Sequence, residues 1–498
     1  MKIQFVFASP IEMPKFGEMG EQVSPPLGIL YLAGYLRDKI KGIELSAIDG
    51  PRIGFKKTLQ KIKEFNPDIL CVSYYTVSAL GAYELINSLK KHNSSLLVLV
   101  GGHHVTALPG ESFKKSQADI EVYGEGEITL TEIVKNYIEK KDPKQIKLEK
   151  TLGIGYMDRG KLKITPPRPF ITDLDSIPYP ARDLIKMDDY NGWYISKQNP
   201  QARVIFARGC PYRCTFCSNK VWNRPGEGVR IRSPKNIADE LEMLKKQYGI
   251  REFFDDGDEL NNNIPRAIEI CKEIKRRNLW MTWKCQLRCN NLPEELVKAM
   301  AEAGCWYVHL GVESGNQKTL NGIKKAITLK QAEDACRLLT KHGIKTLALF
   351  MLFNVWEENG KLCFEGVKET ENTLRFAKKL LKNKTASFIS STQTQPYPGS
   401  ELYNIAIRHN LIKEGLKGNW DSWLKDEMYI MRIPGVKEED MAKMRSKANL
   451  IIAKHLLKSG NISMRDLVFF AKKAMKLLED NIKAKLRTKK EPTLTLSA

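Results

Sequence analysis

Eleven short apolar runs, most of them followed by a stretch of helical periodicity, constrain this chain more than any other feature. Five come early: IQFVFAS at 3–9, IELSAID at 43–49, DILCVSYY at 68–75, LLVLVGG at 96–102 and IEVYGEGE at 120–127. Several are apolar throughout, as expected of strands in a parallel sheet buried on both faces. Between them, LGILYLAGYLRDK, KKTLQKIKEF and ALGAYELINSLKKH place apolar residues three or four apart and predict helices. The alternation predicts an α/β, doubly wound, Rossmann-like domain over residues 1–140, with ligands beyond the carboxyl ends of the strands. The loops at 9–26, 73–78, 101–110 and 124–127 are therefore the candidate ligand loops.

Residues 141–200 lose the periodicity and collect prolines at 166, 167, 169, 178 and 180, which reads as a linker. From 203 six further runs follow: RVIFARG, REFFDDGDE, WMTWKCQLR, CWYVHLGVESG, IKTLALFMLF and ASFISSTQTQPYPG, most separated by helical stretches. Six β/α units in series predict a partial (β/α)6 barrel of the TIM type over 201–405, with its chemistry at the strand C-termini. Residues 406–498 turn irregular and then mostly helical, ending in a basic tail.

The net charge of +22 suits nucleic acid, an anionic membrane or an acidic substrate. No segment interleaves basic and aromatic residues as RNA-binding modules do, so nucleic acid is not favoured. The ten cysteines lack the regular pairing of a secreted framework, the first apolar run is too short for a signal peptide, and no run approaches a membrane span of about 18 residues. A cytoplasmic protein with free or metal-bound thiols is expected. The lysine-rich pattern at 463–490 is read either as a helix packed on the barrel or as a peripheral contact with an anionic membrane.

RGCPYRCTFCSN, residues 208–219, carries Cys210, Cys214 and Cys217. Gly209 and Pro211 discourage a helix and favour a loop wrapped around something. Closely spaced thiolates bind zinc or iron-sulfur clusters. A structural zinc site wants a fourth protein ligand, absent nearby in sequence, whereas three thiolates on a four-iron cluster leave one iron open for chemistry.

The Cys-x3-Cys-x2-Cys spacing, Phe216 before the last Cys, and the position after the first barrel strand resemble the radical S-adenosylmethionine (SAM) superfamily. The resemblance implies a 4Fe-4S cluster on Cys210, Cys214 and Cys217, whose open iron chelates SAM and whose electron generates a 5′-deoxyadenosyl radical. It also implies that Asp255 and Asp256, in FFDDGDEL, lie near SAM or substrate, with a helix cap as the alternative use of these acids. Glu313, in HLGVESGNQKTL, would hold polar groups of SAM, and TQPYPGSELY at 394–403 matches the segment after the sixth strand. LFNVWEENG at 352–360 departs from the family's pattern after the fifth strand, which singles out Trp356 and Glu357. Cys285, Cys289 and Cys305 are weighed as a second cluster against ordinary buried cysteines.

In the first domain, Ser73-Tyr74-Tyr75 and, further on, Gly101-Gly102 resemble the second half of the cobalamin-binding signature, with Tyr75 where Leu is usual. A Ser hydroxyl at a strand end can hydrogen-bond the nucleotide tail, and Gly-Gly admits that tail without a Cβ in the way. His103 is a further candidate contact, as is His104. Residues 9–26 contain no His, so the Asp-x-His-x-x-Gly element that ligates cobalt is missing. With PPLGILYLAGYLRD, GGHHVTALPGESF and YGEGEITLTEI, the chain resembles the cobalamin-binding radical SAM family over residues 1 to about 405. Absence of Gly-x-Gly-x-x-Gly after the first strand argues against a nicotinamide cofactor.

The resemblance implies an enzyme that methylates an unactivated carbon of a small-molecule or lipid substrate, using the 5′-deoxyadenosyl radical, methylcobalamin and an external electron donor. No catalytic side chain is assigned beyond the cluster ligands. The alternatives are a cobalamin-dependent radical cyclase or rearrangement enzyme and, from a different class, a cobalamin-dependent nucleic-acid-binding sensor.

Overall fold

The computed structural model describes residues 1–12, 24–140, 147–190, 195–221, 228–425 and 430–459. The sequence 463–490, read as a helix, lies outside these residues. The chain forms two compact units. The first contains residues 1–209, 218–253 and 418–425; the second contains 210–217, 254–417 and the described residues after 425.

The first unit is built on strands β1 (Lys2–Phe7), β2 (Glu44–Asp49), β3 (Ile69–Ser73), β4 (Leu97–Gly101), β5 (Ile120–Val122), β6 (Ile154–Asp158) and β7 (Lys161–Ile164), ordered β2-β1-β3-β4-β5-β6-β7. The pairings among β1 to β5 are parallel. Ile3, Phe5, Ile69 and Leu99 pack under Leu30, Ala33 and Leu36 of the helix Leu27–Lys39 and under Leu130, Ile133 and Val134 of Glu127–Lys140. The chain order reverses between β1 and β3, and a crevice opens at such a switch point, beyond the carboxyl ends of the strands. Ser73 ends β3 at this point, and the ring of Phe7, which ends β1, meets Tyr75 edge-on at 5.2 Å.

The expected linker at 141–200 does more than connect. β6 joins β5 antiparallel and β7 joins β6, so this segment completes the first sheet. Arg182 is tied to the buried carboxylate of Glu240 at 2.6 Å, and Arg232 binds the other oxygen of that carboxylate at 2.5 Å. Such a buried triad holds both segments in one unit, because removing any member would strand a charge in a low-dielectric interior.

The barrel strands are β8 (Gln201–Val204), β11 (Glu252–Asp255), β12 (Thr282–Arg288), β13 (Cys305–Glu313), β14 (Lys345–Leu352) and β17 (Phe388–Gln393); the short pair β9 (Ala207–Arg208) and β10 (Arg230–Ile231) lies between the first two in sequence. The sheet order β17-β14-β13-β12-β11-β8 moves one strand at a time along the chain, the winding of a partial (β/α)6 barrel. β12, β13, β14 and β17 pair parallel.

LFNVWEENG, the departure noted in the sequence, forms a hairpin of β15 (Val355–Glu358) and β16 (Lys361–Phe364). Asn359 and Gly360 both take positive φ, 51° and 75°, as a two-residue turn that follows the strand twist requires. Trp356 is buried with its indole N–H on Glu358, 2.7 Å away, and Glu357 pairs with Arg408 and His409. Both residues singled out by sequence thus serve packing and surface pairing. A Cβ on Gly322 would stand 2.1 Å from the Trp356 ring nitrogen. Gly322→Ala is therefore expected to cost about 1–3 kcal/mol through overpacking, read as a lower thermal midpoint.

Candidate cofactor sites

The three-cysteine loop begins at Gly209, whose φ of +94° is open to glycine and costly for other residues. Within the second unit the loop is braced on both sides. Thr215 N–H donates to the Ile323 carbonyl at 3.0 Å, and the Thr215 carbonyl accepts from Leu402 N–H at 2.8 Å. Leu402 belongs to the TQPYPGSELY segment, which gives that segment a physical role. None of Cys210, Cys214 and Cys217 is in a disulfide; Cys214 is buried and the other two are partly exposed. Burial pushes the Cys210 thiol up to about 12, assisted by the carboxylates of Glu259 and Asp258. Among the described residues no three His, Cys, Asp or Glu side chains converge on one metal ion. A cluster, unlike a single ion, offers each sulfur a different iron.

Two buried cations stand beside this loop, neither visible in the sequence as a site residue. Arg288, the last residue of β12, points Nη1 at Cys214 Sγ from 3.6 Å, lies over the Tyr212 ring at 3.5 Å, and faces Glu259 at 3.6 Å. A second guanidinium nitrogen donates to the Lys325 carbonyl. Lys325 Nζ lies 6.0 Å over the ring of Phe216 and donates to Glu313 Oε1 at 2.8 Å. Both cations place positive charge beside Cys214 and Phe216 of the loop.

Glu313 closes β13 with φ +68°, an uncommon conformation for a side chain of this kind. A Cβ on Gly311 would come within 2.6 Å of both Glu313 Oε1 and Lys325 Nζ. Gly311 therefore makes the space in which the pair sits. Beyond it, Ser314 Oγ donates to Glu365 Oε1 at 2.6 Å, and Asn354 contributes both backbone and side-chain N–H groups to Glu365 Oε2. This buried carboxylate fixes the end of β13 relative to the hairpin. Asp255 accepts from Gly257 N–H at 2.9 Å, and Asp256 is partly exposed. The cap of the following helix, Ile264–Arg276, is Asn263. The acids acting on Cys210 come later in FFDDGDEL than the pair singled out by sequence.

Cys285 and Cys305 neighbour Cys271 in the buried interior, and burial raises Cys285 well above the ordinary thiol range. Cys289 instead lies against the Gly311 carbonyl, 3.4 Å away. Cys285, Cys289 and Cys305 do not converge as a ligand set.

In the first unit, the loops after β3 and β4 meet at Gly102. Its φ is +99°, and a Cβ there would stand 2.7 Å from Ser73 Oγ and 3.1 Å from the Tyr74 carbonyl. Gly101 lacks this strain; an added Cβ would make ordinary contact with Val122 at 3.4 Å. Tyr75 is 57% exposed, with His103 edge-on at 6.4 Å. Burial, with a contribution from His104, lowers His103 to about 4. Its ring stays neutral through pH 5–8, and stability linked to it is full above about 6.5 and declines as pH falls towards 4. His104 is wholly buried: Nε2 meets Tyr83 OH at 3.2 Å and Nδ1 meets Thr76 Oγ1 at 3.1 Å.

Residues 204–359 match the Radical SAM superfamily and residues 20–134 match the B12 binding domain. The chain is 34% identical over 429 residues to an uncharacterized methyltransferase of Pyrococcus horikoshii, spanning 85% of this chain and 86% of that one. The chain belongs to the cobalamin-binding radical SAM family. It is 29% identical over 402 residues to the anaerobic magnesium-protoporphyrin IX monomethyl ester cyclase of Rubrivivax gelatinosus (78% of this chain, 68% of the relative). To the hopanoid C-3 methylase of Methylococcus capsulatus it is 25% identical over 419 residues (82% and 73%). The fold is shared with the radical SAM enzyme OxsB, solved with aqua-cobalamin and SAM, at a TM-score of 0.69 and 18% identity over 97% of this chain and 72% of that one. It is also shared with the methyltransferase TsrM of Kitasatospora setae, solved with cobalamin and a [4Fe-4S] cluster, at 0.66 and 16% over 98% and 100%.

As a family member the protein is a cobalamin-dependent radical SAM enzyme, and its cofactors are a 4Fe-4S cluster, SAM and cobalamin. The residues present fit these groups. The thiol loop offers three sulfurs beside two cations, and the cradle at Gly101-Gly102 is one that side chains would fill. No helix among the described residues is long and apolar enough to cross a membrane.

Proposed function

We propose that this enzyme adds a methyl group to an unactivated carbon of a small-molecule substrate. The observation that carries the reading is the presence, on one chain, of the three-thiol loop within a Radical SAM match and a B12-binding unit whose first loop, 9–26, has no His. When bound, the cluster with SAM would supply a hydrogen-abstracting radical and cobalamin would supply a methyl group.

The chain's own residues bind and orient. Cys210, Cys214 and Cys217 would hold the cluster and leave it open to SAM. Arg288 and Lys325 offset the charge of the thiolates. Glu313, held by Lys325, meets polar groups of SAM, with Phe216 and Asp256 bordering the same cofactor. Ser73 donates its hydroxyl to the cobalamin tail, Gly101 and Gly102 let the tail approach the backbone, and Tyr75 and His103 line its entry. An external one-electron donor reduces the cluster. A lipid substrate and contact with an anionic membrane are the finer reading; binding of the full chain to vesicles containing phosphatidylserine, lost when the lysines at 472, 473 and 476 are removed, would support it.

The test is an anaerobic reaction of reconstituted enzyme with a small-molecule cell extract and SAM deuterated in its methyl group. Methyl transfer predicts 5′-deoxyadenosine and a new product carrying the trideuteromethyl group. The similarity to the Rubrivivax gelatinosus cyclase favours one second reading, radical cyclisation without methyl transfer. It predicts 5′-deoxyadenosine with an unlabelled product, and that outcome would overturn the methyltransferase assignment.

A further inference from the structure

The short helix Trp420–Lys425 belongs to the first unit although the residues before it, to 417, belong to the second. Trp420 and Trp423 are 1% and 0% exposed and meet edge-on at 5.1 Å. The Trp420 indole N–H donates to Glu111 Oε1 at 2.6 Å, and its ring meets the imidazole of His104 edge-on at 5.2 Å. His104 in turn bridges two loops. Through Thr76 it holds the turn following Ser73-Tyr74-Tyr75, and it sits two residues after Gly102. Tyr83, bonded to both His104 and Glu111, completes the network.

The helix packs on a side chain that ties the two loops together. A large buried aromatic with its N–H satisfied is a rigid element, and pre-ordering the loops of a binding site reduces the ordering cost on ligand entry. We infer that residues 418–425 form a strap over the cobalamin site and that Trp420, through His104 and Glu111, is a positioning residue for the two loops that receive the cobalamin tail. This rests on the placement of cobalamin at Ser73 and Gly102.

The test uses full-length protein with its cluster reconstituted, titrated with hydroxocobalamin. Losing one hydrogen bond and two ring contacts, Trp420→Ala is expected to weaken cobalamin binding about tenfold. Trp420→Phe, which keeps the ring and loses the N–H, should weaken it about threefold, with faster amide exchange at 74–78 and 102–107 in the cobalamin-free protein and an unchanged iron content. Trp280→Ala, at a residue 82% exposed, serves as the control with wild-type affinity. Should Trp420→Ala not fold, Trp420→Phe decides. Wild-type affinity and exchange in the Phe variant would overturn the strap. Loss of binding on Ser73→Ala with none on Trp420→Phe would overturn the strap alone, whereas wild-type protein unable to bind hydroxocobalamin would overturn the cobalamin placement beneath it.

Discussion

Replacing any one of Cys210, Cys214 and Cys217 by Ala is expected to take bound iron from about four per chain to near zero after anaerobic reconstitution, and SAM cleavage with it. The loss is complete rather than graded because the described residues offer no substitute. Glu259 acts more strongly on Cys210 than Asp258 does, but it faces Arg288 at 3.6 Å, and Cys289 is turned to the Gly311 carbonyl. Two thiolates on a four-iron cube leave two irons to solvent, and SAM holds one of them. Cys285→Ala makes the informative contrast. That thiol is also buried in the barrel unit, yet its neighbours are Cys271 and Cys305, so its loss creates a small cavity and leaves iron content unchanged. Iron and sulfide assays, with the electron paramagnetic resonance signal of the reduced protein, separate the two cases. Four irons retained in Cys214→Ala would dismiss the loop as the cluster site.

The sequence exposes the thiol loop because its thiols are local, three Cys within eight residues, and it exposes Ser73 and Gly101-Gly102 because they end strands whose apolar runs are unmistakable. Arg288, Lys325 and Glu259 have no such signature. Each is one charged residue among 138 on the chain, brought to Cys214 or Cys210 only by the order of β11, β12 and β13. Backbone topology, rather than any local pattern, selects them. β6 and β7 were equally hidden: β7 is exposed along its whole length, so KLKI carries no buried stripe, and the prolines that follow look like a connector. Asn359-Gly360 is a strong hairpin signal that reads as a mere departure when the family's segment is the yardstick. Trp420 lies beyond the last barrel strand in a stretch of broken periodicity, and nothing local ties it to His104, more than three hundred residues earlier.

Gly102→Val should reduce cobalamin binding by about a hundredfold or more while leaving the cluster in place. Two costs combine. The backbone at Gly102, φ +99° and ψ −169°, lies where a side chain is disfavoured by about 1–3 kcal/mol. The added Cβ then meets Ser73 Oγ at 2.7 Å and the Tyr74 backbone at 3.1 Å, so the β3 and β4 loops must part and the hydroxyl offered to the tail must move. Gly101→Ala separates the two effects. Gly101 is free of positive φ, and its Cβ would make only van der Waals contact with Val122, so the folded protein should keep its thermal midpoint. A fall in cobalamin affinity in that variant would therefore report the lost approach of the ligand to bare backbone, free of any loop distortion. Equilibrium dialysis against hydroxocobalamin measures both variants, and iron content provides the internal reference. Wild-type affinity in Gly102→Val would remove the tail from this cradle, because no tail bonded to Ser73 there could tolerate its displacement.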